Sequence, residues 1–308
     1  GVTPIVIAIF EAVVAVIFVI LGLIIAGYEV PFSLVLGAIA AATAPAATVM
    51  VIKQYKAKGP LTETLLSVVA LDDAVALIAF GFAVTVAKSI ESPASGSPLL
   101  SILDPFIEIA TAVVIGALLG AIFSFILRWF KSSSNRLILS IAFVFLSIAL
   151  STLLNVSSLM MCMSMGAILA NVSSTSDTIM KITDSVTPPL FMIFFVISGA
   201  ELQLSVIPTI GLVGVIYVVL RVAGKMFGAW AGAALMKAPE TVRRWLGPTL
   251  VPQAGVAIGL SLVAESVVPQ YASVIRAVVL CATLIYEIIG PMVTKICLKK
   301  AGEISADA

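Results

Sequence analysis

Long apolar runs are the feature that most constrains what this chain can fold into. Stretches of about 20 apolar residues recur along the whole sequence, and a helix of about 20 residues crosses the roughly 30 Å hydrocarbon core of a bilayer. Only 11% of the residues are charged, whereas a soluble domain is usually about 25% charged. No alternating pattern typical of a membrane barrel is present. The sequence therefore predicts an all-α integral membrane protein whose helices satisfy their own backbone groups.

The apolar runs divide into about ten predicted transmembrane segments, of which the sixth and seventh are short. Their predicted bounds are 4–27, 31–52, 61–87, 102–129, 136–155, 158–172, 186–201, 207–236, 246–266 and 271–297. The Ser/Pro/Gly-rich stretch 88–101 predicts a flexible extracytoplasmic loop. The tail after Lys300 is predicted to be disordered.

The basic residues predict the orientation of these segments, because cytoplasmic loops are enriched in Lys and Arg. With ten segments, only Lys88 and Arg276 fall on one side. The other side holds Lys53, Lys56, Lys58, Arg128, Lys131, Arg136, Lys181, Lys237, Arg243, Arg244, Lys295, Lys299 and Lys300. Both ends of the chain are then cytoplasmic, and a cell membrane, specifically a bacterial inner membrane, is the expected location.

Composition narrows the chemistry further. The net charge of +1 gives no indication of nucleic-acid binding, and no cofactor is predicted. Histidine is absent, so any proton transfer must use carboxylates or lysine. Because the sequence begins with Gly1 and has no signal-peptide layout, we expect it to start partway through a longer protein.

Charged residues inside the predicted segments are the functional candidates, since a charge at the bilayer centre costs roughly 2.5–3.5 kcal/mol on insertion scales. Glu108, Glu201 and Glu265 lie near predicted outer ends, where solvation or an interfacial position explains them. Glu11 and Glu287 lie deeper and are kept as secondary candidates. Four side chains lie furthest from water: Asp72, Asp73, Arg221 and Lys225.

Asp72 and Asp73 lie in VVALDDAVALIAF, near the middle of the third segment. Two adjacent carboxylates without partners would not both stay ionised there. They must face a hydrated cavity, a bound cation or a basic side chain; a purely structural ion pair is the alternative. Because neighbouring helical positions point about 100° apart, the two carboxylates can serve different neighbours.

The eighth segment carries both basic candidates in RVAGKMFGAWAGA, with Arg221 and Lys225 four residues apart on one helix face. Small residues on this helix favour close packing against another helix: Gly224, Gly228, Ala229, Ala231 and Gly232. We expect Lys225 to contact an aspartate of the third segment. For Arg221 the sequence leaves two alternatives, pairing with a glutamate or a position nearer the outer water.

Two segments are predicted to be interrupted. Pro45 in AAATAPAATVMV and Pro252 in PTLVPQAGVAIGL each remove a backbone donor in mid-span. The neighbouring Thr43, Ala44, Gln253 and Gly255 complete the two expected breaks. Segments one to three and eight to ten each have an interrupted middle helix, with opposite predicted orientation. Such inverted repeats with discontinuous helices are typical of transporters whose site lies at the midplane.

These stretches together resemble the monovalent cation/proton antiporter superfamily, in its sodium/proton branch with a paired-aspartate motif. The resemblance rests on TAPAATVMVIKQYKAKGPLTETLLSVVALDDAVALI, GKMFGAWAGA and GPTLVPQAGVAIGL and covers nearly the whole chain in order. It implies two crossed discontinuous helices at Ala44, Pro45, Pro252, Gln253 and Gly255. Where relatives have an acidic residue in a Pro-Arg-Gly-Glu stretch, this chain has Pro252-Gln253-Ala254-Gly255, which leaves any role of that acid in doubt.

The resemblance also implies roles for individual residues. Asp73 corresponds to the main ion- and proton-binding aspartate, and Asp72 to the neighbour that pairs with a lysine, here Lys225. Thr43 would lie at the crossing. Transfer of a proton by Lys225 as well would make transport electrogenic.

From these observations we expect an antiporter that exchanges protons for a monovalent cation, with Na⁺ ahead of Li⁺ and K⁺ and with Asp72 and Asp73 as its ligands. Residues 1–87 and 207–298 would form two core triplets, 102–201 connecting and dimer-side helices, and 299–308 a cytoplasmic tail. A homodimer is expected. The main alternative is a sodium-coupled symporter of an organic solute; a channel and an intramembrane aspartyl protease are less consistent with the two breaks and with aspartates that diverge from one helix.

Overall fold

The computed structural model describes residues 1–91, 98–200 and 207–304. All regular secondary structure in these ranges is helical, which confirms the predicted all-α class. The helices are α1 Val2–Ile25, α2 Val30–Ile39, α3 Pro45–Tyr55, α4 Pro60–Glu91, α5 Pro98–Ile126, α6 Ser133–Leu154, α7 Ser158–Val172, α8 Ser176–Ala200, α9 Ile207–Leu235, α10 Glu240–Thr249, α11 Gly255–Val267 and α12 Ala272–Lys300, with a 3₁₀ turn at Pro269–Tyr271.

Several of these helices have the length and apolarity of membrane spans. Among the described residues, six qualify: Val2–Ile25, Pro60–Ile90, Ile107–Ile126, Ser133–Leu154, Gly211–Leu235 and Pro269–Lys300. Shorter apolar helices occur at Val30–Ile39, Ser158–Val172 and Gly255–Glu265. The total of ten spans stays a prediction.

Some helices extend further than the apolar runs. Helix α4 continues to Glu91 and α5 begins at Pro98, so both ends of the predicted 88–101 loop are helical, and residues 92–97 lie outside the described residues. Helix α8 starts at Ser176, before the predicted start at residue 186. An apolar run ends at its first polar residues, but a helix can continue through them. Polar side chains at the boundary with water are compatible with helical backbone.

Both interruptions inferred from proline are present as breaks between helices. The first separates α2 from α3, and the second separates α10 from α11. Pro45 occupies the first position of α3, where its missing N–H would have had no helical partner. The two breaks touch each other, since Ala44 N donates a hydrogen bond to Pro252 O at 2.9 Å.

The chain divides into two compact units, Gly1–Ser92 with Glu201–Ala308, and Pro93–Ala200. In the first unit, α1 packs against α9 with almost no space between their backbones. A Cβ added at Gly228 would lie 2.5 Å from Phe10 O, and one at Gly224 would lie 2.6 Å from Ala15 Cα. Gly224, Gly228 and Gly232 therefore allow the predicted close packing, and their partner is α1.

The second unit consists of α5 to α8 around its own apolar core, which includes Phe123, Phe143 and Met161. Here α5 and α7 approach closely, because added Cβ atoms at Gly116 and Gly120 would lie 2.3 and 2.5 Å from carbonyl oxygens of α7.

Part of the C-terminal tail is ordered, contrary to the prediction. The Glu303 carboxylate accepts hydrogen bonds from Leu61 N at 2.6 Å and Thr62 N at 2.7 Å. A carboxylate in this position satisfies free amides at the start of α4 and complements its positive helix end. Residues 305–308 lie outside the described residues.

Candidate functional site

Lys225 is the centre of a buried polar cluster in the first unit. Its side chain is fully buried, and its Nζ lies 2.7 Å from Glu11 Oε2 and 3.2 Å from Asp72 Oδ2. Nζ also donates to Thr43 Oγ1 at 2.6 Å and to Ala41 O. An ammonium group has three donors, so four acceptors compete for them. The structure thus places the expected aspartate beside Lys225 and adds a second carboxylate.

Local packing explains how these groups meet. Glu11 reaches Lys225 because the glycines of α9 let α1 come into backbone contact one turn from Lys225. Thr43 and Ala41 come from the first break, where non-helical backbone leaves a carbonyl free to accept. Asp72 comes from α4 and is fully buried. Three helices and one break therefore meet at one ammonium group.

Asp73 lies next to this cluster but outside the lysine's contacts. Its side chain is half-buried, and its Oδ1 has no hydrogen-bond partner among the described residues. Asp72 Oδ1 and Glu11 Oε1 are likewise buried without a partner there. Buried carboxylate oxygens without donors are costly, so this arrangement suits a bound cation or proton.

The charges of the cluster leave an imbalance. Glu11, Asp72 and Asp73 carry three negative charges when ionised, whereas Lys225, the only cation paired with them among the described residues, carries one positive charge. A bound proton or a bound monovalent cation reduces this excess of negative charge. Either ion can therefore stabilise the cluster.

Arg221 takes neither of the positions left open by the sequence. It is fully buried, and its guanidinium donates to backbone carbonyls of both breaks. The acceptors are Ala40 O at 3.1 Å and Ala42 O at 2.7 Å in the first break, and Val251 O at 2.7 Å and Pro252 O at 3.5 Å in the second. Its guanidinium carbon also lies 4.5 Å from the centre of the Tyr286 ring. Arg221 thus satisfies carbonyls that a continuous helix would have bonded internally.

Gln253 lies in the second break, between α10 and α11. It is fully buried, and its Nε2 donates to Ile39 O at 3.0 Å. The Tyr217 hydroxyl lies 3.1 Å from Gln253 Oε1. Gln253 therefore links the second break to the end of α2 without bringing a charge.

Glu265 and Glu287 are not among the described side chains that contact Lys225. Glu287 on α12 is half-buried, and its Oε1 has no partner among the described residues. Glu265 pairs with Arg276 at 3.4 Å. Glu108 lies on α5 in the second unit, and Glu201 lies outside the described residues.

Sequence reasoning missed the central position of Glu11 and the carbonyl contacts of Arg221. Tyr217 and Tyr286 were not recognised at all. Depth in an apolar run was the only signal for Glu11, and nothing local distinguishes these tyrosines from other aromatic residues of the core.

The described residues contain no group of three or more His, Cys, Asp or Glu side chains arranged to hold a metal ion. Asp72, Asp73 and Thr43 bring oxygen atoms, the ligand type that small hard cations prefer.

The model of the transmembrane sodium/hydrogen exchanger family matches residues 2–300. The chain belongs to the sodium/hydrogen exchanger family. It is accordingly a multi-pass membrane transporter of a family that exchanges cations for protons. A search of curated protein sequences found no significant match.

The fold is similar to that of a solved member of this group. The sodium proton antiporter MjNhaP1 from Methanocaldococcus jannaschii aligns with a TM-score of 0.75 and 17% sequence identity, over 97% of this chain and 78% of that protein. At this identity the likeness concerns the fold alone.

Proposed function

We propose that this exchanger moves protons against a monovalent cation, with Na⁺ as the expected cation and Li⁺ or K⁺ as alternatives, by alternating access. Asp72 and Asp73 are the proposed ligands. The observation that carries the proposal is Asp73, a half-buried carboxylate with an unpartnered Oδ1 beside the buried Asp72–Lys225 pair.

Competition for the excess negative charge of the cluster supplies the coupling. The ionised cluster attracts either a proton or a monovalent cation, and binding of one weakens the attraction for the other. A carrier that crosses only with one of them bound then exchanges the two ions. Carboxylate oxygens with the Thr43 hydroxyl and freed carbonyls are hard ligands that suit small cations.

Glu11 changes the role that the resemblance implies for Lys225. When Asp72 turns towards a cation, Lys225 still has Glu11 at 2.7 Å, Thr43 and Ala41 O as acceptors. A buried ammonium group keeps its charge more readily with an ionic partner. We therefore propose that Lys225 keeps its ion pair with Glu11 through the cycle and that one proton exchanges for one cation.

The proposal also assigns a role to each of the two units. Helices α1–α4 and α9–α12 hold the ion cluster and would form the transporting part, with residues 102–201 as connecting and dimer-side helices of a homodimer. Both ends of the chain would face the cytoplasm across a cell membrane.

Replacement of Asp73 by Asn tests the proposal in proteoliposomes that contain a pH-sensitive dye. The wild-type chain should show Na⁺-driven proton movement, and Asp73→Asn should reduce it to the level of empty liposomes. Glu63→Gln is the matched control, since Glu63 is an exposed carboxylate in the first turn of the same helix, and should keep full flux.

Full flux in Asp73→Asn would contradict the proposed site. Sodium uptake without any proton movement in the wild-type chain would instead favour the sodium-coupled symporter.

A further inference from the structure

A basic pocket lies in the unit Pro93–Ala200. It forms where α5 ends, α6 begins, α7 ends and α8 begins, and it has a volume of about 520 Å³. Its lining includes three basic side chains, Arg128, Lys131 and Arg136, and no carboxylate. The lining therefore has the charge of an anion site.

None of the three basic side chains forms an ion pair with another described residue. Arg136 donates from Nε to Phe130 O at 2.9 Å, which leaves its two terminal nitrogens for another acceptor. Arg136 is also the fourth residue of α6, where a positive side chain opposes the positive end of the helix. A bound anion would remove this unfavourable interaction.

The rest of the lining contributes hydroxyl groups. Helix α8 begins directly after Thr175 and carries Asp177 in its first turn, and its Ser176 N and Thr178 N already donate to Ser173 O and Thr175 O, so the start of this helix is not used as part of the site. Ser173 Oγ lies 3.0 Å from Thr175 Oγ1. These hydroxyl groups alone do not define a site.

Ser124 gives independent evidence for a bound anion. This residue is only 6% exposed and lines the pocket, and its Oγ has no hydrogen-bond partner among the described residues. A serine within a helix ordinarily donates to the carbonyl four residues earlier, as Ser140 does to Arg136 O. An unpartnered hydroxyl in a wall with three basic side chains that form no ion pair with another described residue indicates a missing acceptor.

The surroundings place the pocket at the edge of the bilayer. Phe125 and Trp129 beside it are 53% and 65% exposed, and aromatic side chains concentrate where a membrane meets water. The headgroups of phospholipids occupy that level.

We propose that this pocket binds a phosphate group, held by Arg128, Lys131, Arg136 and the Ser124 hydroxyl. The phosphate belongs either to an anionic phospholipid headgroup or to free phosphate. The proposal is independent of the transport mechanism and is tested without any flux measurement.

The test measures binding and thermal unfolding of the purified full chain in detergent with three probes: short-chain phosphatidylglycerol, short-chain phosphatidylcholine and inorganic phosphate. Phosphatidylglycerol should raise the unfolding temperature of the wild-type chain more than phosphatidylcholine does. The double variant Arg128→Ala with Lys131→Ala should lose this rise. Lys53→Gln with Lys58→Gln removes the same charge from exposed positions in the other unit and should keep it.

Ser124→Ala provides a second test if the double variant Arg128→Ala with Lys131→Ala does not fold. It should weaken phosphatidylglycerol binding about tenfold, as expected for loss of a hydrogen bond to a charged group. Ser147→Ala is its control, since Ser147 is also buried in this unit with an unpartnered hydroxyl but does not line the pocket, and it should leave binding unchanged.

An equal response to inorganic phosphate, lost in the same variants, would support the site with free phosphate as its ligand. The proposal is overturned if no probe stabilises the wild-type chain, or if Ser124→Ala and the double variant bind as the wild type does.

Discussion

At the scale of single residues, one ammonium group organises the proposed ion site. Lys225 contacts two carboxylates, and Asp73 is left without a basic partner among the described residues. A buried lysine with two ionic partners differs from one with a single partner, because it can release one carboxylate without becoming an isolated charge.

Glu11→Gln should therefore alter the coupling more than the binding of the cation. Without Glu11, Lys225 loses its ionic partner whenever Asp72 binds the cation, so the charge that the cluster carries across the membrane changes. We expect the exchange to change from voltage-independent to voltage-dependent, with activity retained within about tenfold of the wild type. The measurement is Na⁺/H⁺ exchange in proteoliposomes at an imposed potential set by valinomycin and K⁺.

The control for this variant is Glu265→Gln, which removes a carboxylate that is 55% exposed and paired with Arg276 at 3.4 Å. It should remain voltage-independent. Voltage-dependent exchange already in the wild-type chain would contradict the proposed role of Glu11.

At the scale of helices, the two breaks depend on side chains from a third element. Arg221 of α9 donates to carbonyls of both breaks, and Gln253 with Tyr217 adds a neutral link. Breaks in mid-span leave backbone groups that lipid cannot satisfy. Arg221 is thus a positioning residue that keeps the broken helices together.

Arg221→Met should destabilise the folded chain, because each buried carbonyl left without a donor costs about 1–3 kcal/mol. We expect a clear fall in the unfolding temperature in detergent. Arg221→Lys should have an unfolding temperature between those of Arg221→Met and the wild type, since an ammonium group keeps the charge but not the planar fork of donors. Equal stability of Arg221→Met and the wild type would show that the carbonyls find other donors.

The contact between α1 and α9 gives a second prediction at this scale. Gly228→Ala should push the helices apart, because the added Cβ would lie 2.5 Å from Phe10 O and 2.6 Å from Glu11 Cα. Displacement of Glu11 should weaken its ion pair with Lys225 and lower both thermal stability and exchange activity. Gly259→Ala is the matched control, since a Cβ there has nothing within 4 Å, and it should behave as the wild type.

At the scale of the whole molecule, the family and the fold make the chain a multi-pass membrane protein, and its basic residues predict the orientation. Lys58 and Lys88 lie near the two ends of α4, and both are exposed. They therefore report the orientation of the helix that carries Asp72 and Asp73.

Single cysteines at these positions test the orientation in sealed cells. In a background with Cys162, Cys281 and Cys297 replaced by Ala, Lys88→Cys should react with a membrane-impermeant maleimide added outside. Lys58→Cys should react only after the cells are opened. The reverse pattern would place both ends of the chain outside the cytoplasm.

Much of this architecture could be predicted because its signals are local. A low charge content and apolar runs of about 20 residues indicate lipid as the solvent, and prolines in mid-span mark the two breaks. Asp72, Asp73 and Lys225 were recognised because a charge in an apolar run is costly wherever the run packs.

Only the tertiary structure decided which groups meet. Glu11 and Lys225 are 214 positions apart, and Arg221 is 181 positions from Ala40, so no periodicity or spacing relates them. Helix ends were also misplaced, since apolarity marks the edge of lipid and not the end of a helix. The sequence by itself determined that lipid is the solvent, that the chain is helical and which charged residues are the main candidates. Each of these follows from the free-energy cost of placing a local group in lipid. The partners of these charged residues depend on which helix faces approach closely, and that is a property of the packed chain.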